Sequence, residues 1–215
     1  MGPPVKYPMI NTRFIFILFP PGFGGNHLLN LLGLYSGLYQ ANDISHFYNN
    51  SEINVHDDVC NLQKQHVHDE MKKHKDLLLL CGHIGEYLFL DNFFSRLKNK
   101  RFITFNWTDA DLLRLNDRLR VLRYDMFADG YFSNEQRSLY DVRTVSKLVG
   151  QSQQDIAVVN LDQFIALDNI ELLETITSTM GIPMGYNADI CAKLHSKWLK
   201  SNNIANQANL VEAPV

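Results

Sequence analysis

Four apolar runs along the chain predict the strands of a buried sheet. The first run is continuously apolar rather than alternating, which is typical of a strand covered on both faces of a parallel sheet. Segments with helical periodicity lie between the runs, and this alternation indicates an α/β fold with helices on both faces of the sheet. The runs are Phe14–Phe19, Leu77–Cys81, Phe102–Phe105 and Ile156–Asn160.

The segments between the strands predict helices. The pattern from Asn26 to Tyr35 has a broad apolar face. Asp109 is well placed near the start of a helix that runs to Arg123. Gly181 and Pro183 form a common stop signal. We also predict helices over Asn169–Met180, Ala188–Ser201, residues 58–75 and Glu86–Leu97, a mostly helical insertion over residues 124–152, and a polar loop over residues 40–60.

The size and composition of the chain suit a single domain. Its 215 residues are 46% hydrophobic, which is enough for a sizeable core. We expect one domain over residues 1–203 and a flexible tail over residues 204–215. The formal charge of −3 disfavours broad nucleic-acid binding, which usually needs a strong basic excess.

Cysteine usage and hydropathy predict an intracellular protein. Cys60, Cys81 and Cys191 are far apart and form no CxxC pair, which fits a reducing cytoplasm. The run Phe14–Phe19 is too short to span a membrane, and no signal-peptide pattern is visible. We therefore expect a cytoplasmic protein without a membrane partner.

The turn after the first strand is the strongest functional signal. Pro20, Pro21 and the glycines that follow join a buried strand to a helix. Glycine lets the backbone approach a ligand closely, and a helix start presents unpaired N–H groups to an anion. At the carboxyl end of a parallel strand, this arrangement predicts a site for a phosphate or sulfate group. A glycine turn that only packs the helix on the strand is the alternative.

The turn is not a Walker A loop. That motif needs a lysine for the phosphates and a hydroxyl for magnesium, and Asn26 and His27 stand where they would be sought. This disfavours hydrolysis of ATP or GTP.

The segment Phe16–Leu28 resembles the phosphosulfate-binding loop of sulfotransferases, which reads Pro-Lys-Ser-Gly-Thr-Thr-Trp-Leu in many members. Later segments agree in order. Leu77–His83 resembles the second strand of that family, which ends in a Thr-His or Ser-His pair. The segments Phe102–Asp109, Ile156–Phe164 with Met180–Pro183, and His195–Lys200 are similar to its later motifs.

The resemblance implies a fold and a set of roles. It implies a P-loop-like three-layer α/β/α fold and 3′-phosphoadenosine 5′-phosphosulfate as the sulfuryl donor, without a metal. His83 matches the catalytic base, and His27 is a candidate to donate to the transferring group in place of the family lysine. The residues that match the donor-binding positions are Gly22, Phe23, Gly24, Gly25, Asn26, Asn106 and Arg114.

The chain also departs from the family pattern, which keeps other functions open. Gly22 replaces the loop lysine, and Asn106 replaces the arginine that grips the 3′-phosphate; Arg114, where the family has a serine, is a candidate replacement charge. The alternatives are a catalytically inactive binding module of the same fold and a nucleotide-dependent phosphotransferase. The expected acceptor is a small molecule or carbohydrate with a hydroxyl or amine, and a homodimer is the default assembly.

Two further clusters favour ordinary structural roles. His66 and His68 lie among acidic residues, but His-x-His on a helix places the rings on different faces, so we interpret this segment as a solvated helix rather than a metal site. Trp107 and Trp198 are large aromatics, which are more often core residues than part of an acceptor pocket.

Overall fold

The computed structural model describes residues 13–37, 77–84, 99–121, 134–185 and 187–204. The loop predicted over residues 40–60, the helices predicted over residues 58–75 and Glu86–Leu97, and the tail from residue 205 onward lie outside these ranges. The described elements are β1 (Arg13–Leu18), α1 (Gly25–Tyr35), β2 (Leu77–Gly82), β3 (Lys100–Asn106), α2 (Asp109–Arg114), α3 (Asn116–Val121), α4 (Asn134–Leu139), α5 (Val142–Val149), a 3₁₀ turn (Gln153–Asp155), β4 (Ile156–Asn160), α6 (Leu161–Phe164), α7 (Ile170–Met180) and α8 (Ala188–Ser201).

The four strands form one parallel sheet in the order β2-β1-β3-β4. Strand β1 is central, and its last residue, Leu18, lies beside Gly82 of β2 and Thr104 of β3. The carboxyl ends of the strands therefore meet at one edge of the sheet. All four predicted strands are confirmed, with shifts of one or two residues at the ends of the first three.

Strand β1 is covered on both faces. Its residues Phe14 to Leu18 are each at most 2% exposed, and successive side chains of a strand point to opposite faces. On one face Phe14, Phe16 and Phe102 stack in a row, with ring centroids 6.2 and 5.3 Å apart. The continuous apolar run thus has the environment that its pattern predicts, and the α/β class with a parallel sheet is confirmed.

The helical stretch predicted from Asp109 to Arg123 is confirmed as far as the structure describes it, to Val121, but it is divided into two short helices by a break at Leu115. Leu115 has φ −88° and ψ −1°, and its N–H reaches the carbonyls of Asp111 and Leu112. Such shared bonds tighten the last turn of a helix. Asn116 and Asp117 then start α3, since both residue types favour helix N-termini.

The described part of the predicted insertion, from residue 134, is helical and joined to the main core. Tyr140 and Val145 are buried in it. The hydroxyl of Thr104 on β3 donates to the carbonyl of Tyr140 at 2.8 Å. Helix α5 contacts β4, so this segment forms part of the connection between β3 and β4.

The last helix and the core continue to the end of the described chain. Helix α8 packs on α1 through Cys191, whose thiol lies 3.7 Å from the carbonyl of Leu31. Ile204 follows α8 and is buried, although the sequence analysis places it in a flexible tail. In the described ranges no helix combines the length and the apolar character that crossing a bilayer requires.

Candidate anion-binding site

The candidate site lies where β1 ends and α1 begins, at the carboxyl edge of the sheet. The N–H of Phe19 continues the ladder to the carbonyl of Gly82 at 3.2 Å. His83 follows β2 at the same edge, and Asn106 ends β3. The structure thus brings the glycine loop and His83 together, as the parallel topology predicts.

The loop has the backbone conformation that its glycines permit. Gly22 has φ 86° and Gly24 has φ 81° with ψ 28°, both in the left-handed region that other residues rarely adopt. Between them Phe23 donates its N–H to the carbonyl of Pro20 at 3.2 Å. Alternating conformations of this kind turn successive backbone N–H groups into an anion-binding concavity.

Helix α1 begins without a cap. Gly24 occupies the N-cap position and provides no side-chain hydrogen bond, and the first turn contains no acidic residue. Within the described residues, the N–H groups of Gly24 and Gly25 have no acceptor. These donors and the positive end of the helix dipole favour an anion at this point.

The inner side of the loop is pressed against aromatic rings. A Cβ atom at Gly24 would lie 2.5 Å from the indole of Trp198, and one at Gly25 would overlap the ring of Phe19. Phe23 is fully buried and packs edge-on against Trp107, with ring centroids 4.9 Å apart. Phe23 therefore anchors the loop in the core, and its N–H serves the turn rather than a ligand.

Asn26 ties the first turn of α1 to the neighbouring strand. Its side-chain oxygen accepts from the thiol of Cys81 at 2.9 Å. Cys81 is fully buried near the end of β2. The contact fixes the start of α1 relative to the strand that carries His83.

His83 is held by the end of β1. Its Nδ1 lies 2.8 Å from the carbonyl of Phe19, and the hydroxyl of Tyr140 donates to the same carbonyl at 3.1 Å. Because a carbonyl only accepts, Nδ1 carries the proton, and a neutral ring then has its lone pair on Nε2. His83 is half-buried at the site edge, and this tautomer is the one that a general base requires.

His27 has a different place from the one expected. Its ring is buried, stacked on Trp198 with centroids 4.5 Å apart and an 8° angle, and its Nε2 lies 3.1 Å from Nδ1 of His195. Nε2 of His195 in turn lies 2.7 Å from the carbonyl of Ala166. The carbonyl fixes a proton on Nε2 of His195, so His27 donates from Nε2 to Nδ1 of His195.

This packing disfavours a positive charge on either ring. Burial lowers the pKa of His27 well below its usual value, and the charges of His195 and Arg118 lower it further. Burial also lowers the pKa of His195, although the carbonyl of Ala166 acts in the other direction. His27 thus contacts His195 and Trp198 in the core, and its role toward a transferring group stays a prediction.

The last two predicted donor-binding residues lie beyond the loop. Asn106 is exposed at the end of β3, and its side chain donates to that of Asn160 at 3.3 Å. Arg114 is 8% exposed at the end of α2. Asn106 shares the carboxyl edge with the loop, whereas no contact of Arg114 with the loop is observed in the described residues.

Sequence reasoning missed Arg118. Its Nε donates to the carbonyl of Gly22 at 2.6 Å, and its guanidinium carbon lies 5.3 Å from the ring centre of Trp198. The signal available in the sequence is its spacing, since it follows Arg114 by four residues in a segment predicted to be helical. Its contact with Gly22 spans 96 residues and leaves no local pattern.

A comparison with protein-family models gives no match for this chain, and none of the curated proteins matches it either.

Proposed function

We propose that the protein binds a phosphate- or sulfate-bearing nucleotide at the start of α1 and transfers a sulfuryl group from 3′-phosphoadenosine 5′-phosphosulfate to a hydroxyl or amine. The proposal includes a P-loop-like, three-layer arrangement of the sheet and its helices. The observation that carries it is the uncapped N-terminus of α1, with its left-handed glycines at the carboxyl edge of a parallel sheet.

The loop fits the phosphosulfate end of such a donor. The N–H groups of Gly24 and Gly25 are oriented by the helix start and lack acceptors among the described residues. Any side chain at either position would collide with Trp198 or Phe19, so the backbone itself forms the binding surface. Anionic oxygens at this point exchange water for two or more charge-assisted hydrogen bonds.

His83 provides the base that the chemistry needs. The donor supplies an activated sulfuryl group, and the acceptor must lose its proton as the new bond to sulfur forms. Nε2 of His83 takes that proton, while Nδ1–H remains bonded to the carbonyl of Phe19 and stabilises the charged ring. The electron pair of the broken sulfur–oxygen bond leaves on the nucleotide phosphate.

A second function, binding without turnover, is favoured by one observation. The loop contains no cation of its own, and His27 is buried, with a pKa well below its usual value. Developing charge on the leaving phosphate would then depend on backbone dipoles and on whatever cation lies nearby.

Calorimetry with the desulfated product, 3′-phosphoadenosine 5′-phosphate, tests the binding step, with ATP as the competing nucleotide. We expect selective binding in the micromolar range, with no requirement for magnesium. Preference for ATP with magnesium would support the phosphotransferase instead, and no binding of either nucleotide would contradict the proposal.

A turnover assay with a panel of hydroxyl and amine acceptors then separates the two functions. His83→Gln keeps a hydrogen-bonding side chain but removes the base. We expect it to bind the product as the wild type does and to lose about 100-fold or more in turnover, the usual contribution of a general base. Wild-type binding without turnover on any acceptor would favour the binding module.

A further inference from the structure

The geometry points to Arg118 of α3 as the cation of the anion site. We propose that it supplies, from outside the loop, the positive charge that the loop lacks at Gly22, so that the site is composite and takes a group with two negative charges. This inference rests on the proposed function, since it assigns a further residue to the same site.

The first step is the position of the guanidinium. Its Nε donates to the carbonyl of Gly22 at 2.6 Å, at the left-handed residue that opens the loop. Its Nη1 donates to the side chain of Asn202, just after α8. The guanidinium carbon lies 5.3 Å from the ring centre of Trp198, which also supports Gly24. Three contacts, one with the loop and two with the C-terminal end of α8, thus hold the cation beside the loop.

The second step is the lack of a compensating charge. Among the described residues, Arg118 has no carboxylate partner, and its Nη2 has no acceptor. Nε–H and Nη2–H leave a guanidinium along the same edge, so the remaining donor points to the side of the loop. Burial lowers the pKa of Arg118 from its ordinary value, and no neighbouring anion offsets that desolvation.

A second arginine in the same run, Arg114, is more deeply buried than Arg118. Arg114 precedes Arg118 by four residues across the tight turn at Leu115. It is 8% exposed, and its Nε is buried without a hydrogen-bond partner. Charged side chains are rarely buried unless they are paired. Neither arginine has an acidic partner in the described structure, and Arg118, the one that contacts the loop, is placed to have a ligand as its counter-ion.

A structural role is the competing explanation for Arg118. In that case its bonds to Gly22 and Asn202 only fasten the loop to the end of α8, and its charge is incidental. The two explanations differ in a property that can be measured: whether Arg118 responds to the ligand and whether lysine can replace it.

An NMR titration of the wild-type chain with 3′-phosphoadenosine 5′-phosphate and with inorganic sulfate separates them. We expect the backbone amides of Gly24 and Gly25 and the side-chain Nε–H of Arg118 to shift along one saturation curve. If the Gly24 and Gly25 amides shift but Arg118 does not, this inference is overturned and the proposed function stands. If none of them shifts, the proposed function fails too.

Calorimetry on variants gives the size of the effect. Arg118→Gln should bind the nucleotide about 10- to 100-fold more weakly, the range expected for a hydrogen bond to a charged group. Arg118→Lys keeps the charge and should therefore lose less affinity. On a logarithmic scale, its loss should be less than half of the loss seen for Arg118→Gln. Arg120→Gln, at an exposed position of the same helix, is the matched control and should bind as the wild type does. Equal losses for Arg118→Lys and Arg118→Gln would support the structural role.

Discussion

Helices α1 and α2 begin at the same edge of the sheet, after strands β1 and β3, but their N-termini are built in opposite ways. Thr108 caps α2: its hydroxyl accepts from the N–H of Asp111 at 3.3 Å, and the carboxylate of Asp111 accepts from the N–H of Thr108 at 2.8 Å. Asp109 adds a second acid in the first turn. This end satisfies its own donors and dipole.

Helix α1 has none of these features. Its N-cap is Gly24, no side chain accepts from the first turn, and no acid lies within that turn. The comparison shows that a strand–turn–helix unit at the right edge of a sheet does not suffice for an anion site. What distinguishes the two ends is whether side chains of the helix start accept from its first N–H groups or leave those donors without an acceptor among the described residues.

The largest effect is expected from Gly24→Ala, which changes the N-cap residue of α1. The new Cβ would meet the ring of Trp198 at 2.5 Å and would force a left-handed conformation on alanine. Strain and overpacking together should lower the free energy of unfolding by about 2–5 kcal/mol in urea denaturation.

Gly150→Ala is the matched control for that substitution. Gly150 also has a left-handed φ, 63°, but a Cβ there would meet no atom within 4 Å. It should lose only the conformational part, about 1–2 kcal/mol. Equal losses of unfolding free energy in the two variants would mean that the ring of Trp198 does not constrain the loop at Gly24.

Asn26→Asp should make the start of α1 resemble that of α2. A carboxylate still accepts from the thiol of Cys81, and an acid in the first turn stabilises a helix by about 0.3–1 kcal/mol. The same charge should repel the ligand and weaken nucleotide binding by about 10-fold or more in calorimetry. Asp109→Asn in α2 is the control and should leave the affinity unchanged; a similar loss in both variants would indicate a diffuse charge effect.

Thr108→Ala should remove the N-cap of α2. Loss of the cap is expected to lower the free energy of unfolding by about 1 kcal/mol, measured by urea denaturation. Nucleotide affinity should not change, because the site lies at α1. Reduced affinity in this variant would place α2 in the site and would contradict the comparison.

The smallest effect is expected from mild acid, which should destabilise the packing of α1 through His27 and His195 and leave the capped start of α2 unaffected. The pKa values of both histidines in the folded chain lie below the usual value. As the pH falls below about 6.5, the unfolded chain therefore binds more protons than the folded chain. The stability from this pair is complete above that pH and decreases below it. The slope of unfolding free energy against pH should be smaller in His27→Gln; equal slopes would rule out the pair as the cause.

Local patterns of the sequence account for the fold and for the loop. Short runs rich in apolar residues predict all four strands, and the bounds of α8 match the predicted ones. The glycines of the turn permit the left-handed backbone observed at Gly22 and Gly24, because only glycine adopts it readily.

The contacts of His27 and of Arg118 near the loop join residues far apart in the sequence, so local sequence patterns do not predict them. His27 and His195 are 168 residues apart, and nothing in the neighbourhood of either predicts that they share a proton in the core. Arg114 is predicted from its place in the resembled family's pattern, whereas Arg118 has no such signal, and only a bond that spans 96 residues places it at Gly22.

The anion site at the start of α1 is tested most directly by mapping the backbone amide chemical shifts of the full-length protein during titration with inorganic sulfate. We expect the largest saturable shifts at Gly24 and Gly25, with Asp109 and Asp111 unaffected. Shifts centred on the start of α2, or no saturable shift at the start of α1, would contradict this expectation.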